Sequence, residues 1–124
     1  MFEQDIIMRQ IHEIVRVILV LLTGRGDAEP DTELLQSVQH KQMLDRLTAM
    51  VDAGEINAAE DLLYESLPLC GVRAALLFYL HLNQKSDDFL EAHGFSREEI
   101  RDGILDAAAK AGLGEIVGTL WRDQ

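Results

Sequence analysis

The side chains most able to do chemistry in this chain are four histidines, one cysteine and a large excess of carboxylates. A metal site on a helix needs ligands three or four residues apart, so that two side chains point at one ion. His12, His40, His81 and His93 have no Asp, Glu, His or Cys at either spacing, in either direction. His12-Glu13-Ile14-Val15-Arg16 begins like the zinc-protease helix motif, but Arg16 stands where a second histidine is required. Asp87, Asp88 and Glu91 lack the glycine-centred spacing of a calcium loop. Cys70, between Leu69 and Gly71, reads as a small buried hydrophobe rather than an activated thiol. The serines sit at helix starts or on polar stretches without a glycine-flanked elbow, and no glycine loop leads into a lysine that could hold phosphate. Spacing therefore nominates no catalytic, cofactor-binding or metal-binding residue, and the expectation is a protein without cofactor or metal.

Charge restricts the partners. Across 124 residues, 22 acidic side chains face 11 basic ones, a net charge of −11. Such a protein is repelled by DNA, RNA and anionic membrane surfaces. Residues 1–25 are neutral in sum, so the whole excess lies on residues 26–124, concentrated at 45–65 and 87–106. Within these stretches Asp52, Glu55, Asp61, Asp87, Asp88 and Glu91 form a candidate acidic surface for a protein partner with a basic face. The plain alternative is solubility. A lone cysteine cannot form an internal disulfide, which suits a reducing compartment. The acidic start, Met-Phe-Glu-Gln-Asp, does not resemble a secretory signal. The longest apolar run, Val17 to Leu22, is six residues, against about 20 for a membrane span. A cytoplasmic protein with no membrane span is expected.

The elements that must position these residues read as all-α and as a single helical domain over 1–124, since no stretch alternates with period two. Ile7, Ile11, Ile14, Ile18 and Leu22 share one face of a long N-terminal helix, 4–23. Arg9, His12, Glu13 and Arg16 mark its polar face until Val20 replaces that stripe. Residues 24–31 read as a linker and 32–124 as a helical body. Asp31 is placed to cap a second helix that runs, bent or in two pieces, to about Ala53. Gly54 then terminates it in the left-handed region. Asn57 with Glu60 predicts a capping box opening a helix to Leu67, and Pro68 to Gly71 a break before a strongly apolar helix, 72–84. Ser86 and Ser96 predict caps for two further helices, the second with Glu99 in a capping box, and Gly112 and Gly114 precede a terminal helix, 115–122.

Leu47 to Leu63, with Gly54 at the reversal and Ala58 and Ala59 permitting close approach, resembles a tetratricopeptide-like helical hairpin. Over its length the chain also resembles an uncharacterised family of small all-helical bacterial proteins, a domain of unknown function. The residues that carry this likeness are Asp5-Ile-Ile-Met-Arg9-Gln-Ile, the hairpin around Gly54, and Phe89-Leu-Glu-Ala-His-Gly-Phe-Ser96-Arg-Glu-Glu-Ile100. Ile6 stands where that opening has an aromatic. The resemblance implies a bacterial cytosolic helical protein and transfers no functional residues.

The fold expected is a helical bundle with tetratricopeptide-like antiparallel helix pairs and a long apolar N-terminal helix. In the second half of that helix Val17, Val20 and Leu21 leave no polar face. A helix that is apolar all round must be covered all round, and a second copy covers it most simply, giving a homodimer. The leading expectation is a non-enzymatic interaction module that self-associates through this helix. The alternative is an enzyme or ligand-binding domain whose pocket is assembled from sequence-distant residues.

Overall fold

The computed structural model describes residues 2–23 and 38–122, with the side chains of 2–5, 22–23, 38–39, 67–71 and 120–122 left aside. The expected linker, the Asp31 cap and Cys70 as a buried side chain lie outside the described residues. Six α-helices account for the described elements: α1 (Phe2–Thr23), α2 (Val38–Asp52), α3 (Ile56–Asn83), α4 (Asp87–Ala92), α5 (Arg97–Lys110) and α6 (Gly114–Arg122). No strand occurs among the described residues, and the bundle is all-α.

The α2–α3 connection is set by two backbone bonds. Gly54 N donates to Val51 O and Glu55 N to Met50 O, both at 2.9 Å, which satisfies carbonyls that the end of a helix would otherwise leave bare. Gly54 takes φ +86°, and a Cβ there would collide with the His93 imidazole. Glycine is thus required twice over, for backbone and for space. The same bond pair closes α4 at Gly94 and Phe95 and α5 at Gly112 and Leu113.

Because this closure leads straight into the next helix, the start of α3 differs from expectation. The N-cap is Glu55, without a side-chain bond, and its carbonyl already accepts from Ala59 N. Asn57 lies inside the first turn, so the expected Asn57–Glu60 capping box does not form. Ser86 and Ser96 do cap, accepting from Phe89 N and Glu99 N, and Glu99 returns a bond to Ser96 N.

The expected division at Pro68–Gly71 into two separate helices also needs correction: α3 is a single helical element. It is not straight. A straight helix would hold residues 60 and 79 about 28 Å apart, beyond the combined reach of their side chains. Yet Tyr79 Oη donates to Glu60 Oε2 at 2.7 Å. The chain therefore doubles back within α3, across the span containing Pro68 and Gly71, the residue types at which helices bend sharply. Proline removes one donor from the ladder, so helical bonding can continue on either side while the direction changes.

The returning arm of α3 is the centre of the core. Residues Ala74 to Leu80 are all buried, together with Leu82. Ile11, Ile14, Val15, Ile18 and Leu19 of α1 pack into the same core, with Leu44, Leu47 and Val51 of α2, Ile100, Ile104, Ala107 and Ala108 of α5, and Val117 of α6. Helix α5 runs antiparallel to the returning arm, with Arg97 at Asn83 and Gly103 against the Tyr79 ring.

Candidate functional site

Polar groups gather at the end of the bundle where α2 finishes, α3 returns and α4 begins. Asp52, the last residue of α2, lies 2.7 Å from His81 Nε2 and 2.6 Å from Lys85 Nζ. Lys85 first, then His81, hold its carboxyl below the usual aspartate range. The Lys85 ammonium also sits 5.2 Å from the centroid of the Phe89 ring. His93 packs on that ring at 4.5 Å, and its Nδ1 lies 2.7 Å from Phe89 O. His81 and His93, which the sequence leaves isolated, thus reach the same end of the molecule from α3 and from the end of α4. Among the described residues no three His, Cys, Asp or Glu side chains are arranged to hold a metal.

Behind this cluster lies Arg97, 3% exposed. Its Nη1 donates to Asn83 O at 2.6 Å and Asn83 Oδ1 at 3.2 Å. Its Nη2 donates to Lys85 O at 2.7 Å and Asp87 Oδ1 at 3.1 Å, and its Nε to the same carboxylate oxygen. Asn83, 5% exposed, donates in turn from Nδ2 to Met8 O at 3.1 Å. One buried guanidinium therefore ties α5, the α3–α4 loop and, through Asn83, α1. A buried charge is tolerated when its donors are met, and each nitrogen of this one has an acceptor.

On another side of the returning arm, the buried Tyr79 pairs with the half-buried Glu60. Burial pushes the Glu60 carboxyl above the ordinary glutamate range, against the opposing effect of the Tyr79 hydrogen bond. Burial, with Tyr64 and Glu60 nearby, pushes the Tyr79 phenol far up, so Tyr79 is a neutral donor. No nucleophile with an oriented base is apparent in these groups.

Not every carboxylate of the expected acidic surface is without a cationic neighbour. Asp52, Glu55, Asp61, Asp87, Asp88 and Glu91 are all exposed, but Asp52 and Asp87 are engaged by Lys85, His81 and Arg97. Along α1, Leu21 is 47% exposed and Ile6 53%, while Val17 and Val20 are partly covered. Arg9, His12 and Glu13 are exposed as expected. A groove of about 510 Å³ runs between α1 and the end of α3, lined by Met8, Arg9, His12, Glu13, Asn83 and Gln84.

Sequence reasoning missed the Arg97 network. Arg97 follows a capping serine, where a basic residue reads as solvated, and two of its four acceptors are main-chain carbonyls 12 and 14 residues away. No side-chain pattern announces such partners.

The fold and its polar groups define a small all-α protein with a buried arginine clamp. The family described as "Family of unknown function (DUF6483)" matches residues 1–112, and the chain belongs to it. No curated protein matches the chain, and no solved structure does. No described helix is long and apolar enough to cross a membrane.

Proposed function

We propose that the protein is a non-enzymatic helical interaction module that self-associates through α1. The observation that carries this reading is the exposure of Leu21 and Ile6 on a helix whose core face is already filled. At 100° per residue, Ile6, Val17, Val20 and Leu21 fall within about 100° of one another around the axis. They lie along about 22 Å of the helix beside the buried face of Ile11, Ile14 and Ile18, with Gln10 and Glu13 on the same side between Ile6 and Val17. Apolar surface of this extent is what a two-fold interface uses, the same patch meeting itself. A cytoplasmic setting, bacterial origin and tetratricopeptide-like packing of α2 on α3 belong to the same reading. So does a basic-faced protein partner for the exposed carboxylates Glu55, Asp61, Asp88 and Glu91.

Light scattering behind size exclusion tests it. Wild type should run as a dimer, and Ile6→Glu with Leu21→Glu as a folded monomer with unchanged helical circular dichroism. Since both side chains are about half exposed, a protein that is monomeric anyway would tolerate the pair without change. Wild type running as a monomer at micromolar concentration would overturn the reading.

A further inference from the structure

The groove between α1 and the end of α3 adjoins the side of α1 that carries Ile6, Val17, Val20 and Leu21, with Glu13 at their common border, and its lining is chemically mixed. We infer that it is a binding site for a small zwitterion of the amino-acid class, its carboxylate on Arg9 and His12 and its ammonium on Glu13. Its test reads ligand binding and is separate from the test of self-association.

The groove has the dimensions for a small ligand: about 510 Å³, within the range of roughly 300–1,000 Å³ common to small-molecule sites. One wall is helical and charged. Arg9, His12 and Glu13 occupy positions i, i+3 and i+4 of α1, so their heads project along one side of the helix. The other wall is the end of α3, with the Asn83 and Gln84 amides, and Met8 supplies an apolar, adaptable surface. Asn83 is fixed, because Nδ2 donates to Met8 O and Oδ1 accepts from Arg97. That part of the wall is held in place, which reduces the ordering cost there.

Charge selects the ligand class. The Arg9 guanidinium presents a planar fork that suits a carboxylate, and His12 adds a ring N–H donor one turn on. Glu13 is an acceptor for ammonium protons. Arg9 precedes Glu13 by four residues, the weaker orientation for a helical ion pair, so a ligand can compete for both. The protein as a whole carries −11, which opposes the approach of a simple anion, while Arg9 at the groove opposes a simple amine. A molecule bearing both charges with no net charge avoids both penalties.

The test is isothermal titration calorimetry of the full-length protein with each of the twenty common free L-amino acids, beside the N-acetyl and methyl-ester forms of the best binder. The expected result is saturable binding of one or a few free amino acids. Each singly blocked form should bind on the order of tenfold or more weakly, as should Arg9→Gln and Glu13→Gln protein, because each change removes a charge-assisted contact. Both side chains are exposed, so the melting temperatures of the two variants should match wild type. Failure of all twenty to bind would overturn the inference. So would equal binding of the N-acetyl form, which would mark a plain carboxylate site, or full affinity in both variants.

Discussion

Tyr79 and Glu60 belong to one helical element, stand 19 residues apart and share a 2.7 Å hydrogen bond. That bond marks the architecture of the middle of the chain. It requires α3 to return on itself, which brings His81 and Lys85 to Asp52 at the end of α2. The Tyr79 ring also lies against α5, where the absence of a side chain at Gly103 leaves room for it.

The first prediction concerns that room. A Cβ at position 103 would clash with the Tyr79 Cζ, Cε1 and hydroxyl. Tyr79 is a large side chain, 1% exposed and held by Glu60, so it cannot swing aside freely. Gly103→Ala should destabilise the fold by about 1–3 kcal/mol, as over-packing does, despite the better helix propensity of alanine. Tyr79→Leu in the same chain should recover part of the loss. Urea midpoints of the two single variants and the double variant check this, and strict additivity would mean that the two positions do not meet.

Glu60 gives a pH dependence of defined sign. Its carboxyl is raised in the folded protein chiefly by burial, so the folded state binds a proton more readily than the unfolded chain. Stability is therefore higher when Glu60 is protonated and falls as pH rises through its folded pKa. At neutral pH the ionised group is a modest liability. Glu60→Gln keeps an acceptor for Tyr79 and should stabilise the protein at pH 7 by under about 1 kcal/mol, the group being partly solvated. The gain should vanish below pH 4, where both forms are neutral. Denaturant melts at the two pH values decide it.

Local signals in the sequence translated well, and long-range ones did not. Ser86 and Ser96 were legible as caps because a cap is written within four residues, side chain to backbone. Gly54 was legible for the same reason. The Asn57 box failed because the Gly54 closure ends at Glu55, whose carbonyl is committed to Ala59, so no residues remain outside the helix for Asn57 to cap. Pro68 and Gly71 signalled an interruption, but composition could not say that the arms would fold together, since that depends on residues distant in sequence packing into one core. In the functional regions, a search at i, i+3 and i+4 could not see Asp52 beside His81, 29 residues away.

Asp52 supplies the opposite sign. Lys85 and His81 lower its carboxyl pKa, so its contribution is present above the unfolded pKa and is lost as pH falls through the lower folded value. The site is exposed, and salt screens it. Asp52→Asn should cost under about 1 kcal/mol at pH 7 in low salt, and less in 0.5 M sodium chloride. In wild type the Asp52 carboxyl carbon should titrate below the usual aspartate range by NMR. A normal midpoint would mean that the two cations do not hold it in solution.

Arg97 tests the clamp itself. Its guanidinium meets Asn83 O, Asn83 Oδ1, Lys85 O and Asp87 at once, in a site almost closed to water. Arg97→Met keeps much of the volume and deletes every donor. It leaves two carbonyl acceptors without that partner, and an Asn83 whose hold on Met8 is no longer braced. Breaking a buried charged network by removing one member costs about 3–5 kcal/mol. Arg97→Lys should recover little, because a single ammonium cannot reproduce a planar fork addressing several separate acceptors. The loss should also be local in a particular way. Amide exchange should quicken first in the 83–90 segment and at the α1 residues next to Met8, before the α2–α3 hairpin opens, since these are the segments the guanidinium joins. Uniform acceleration across the bundle would show that Arg97 supports the fold as a whole and not this junction.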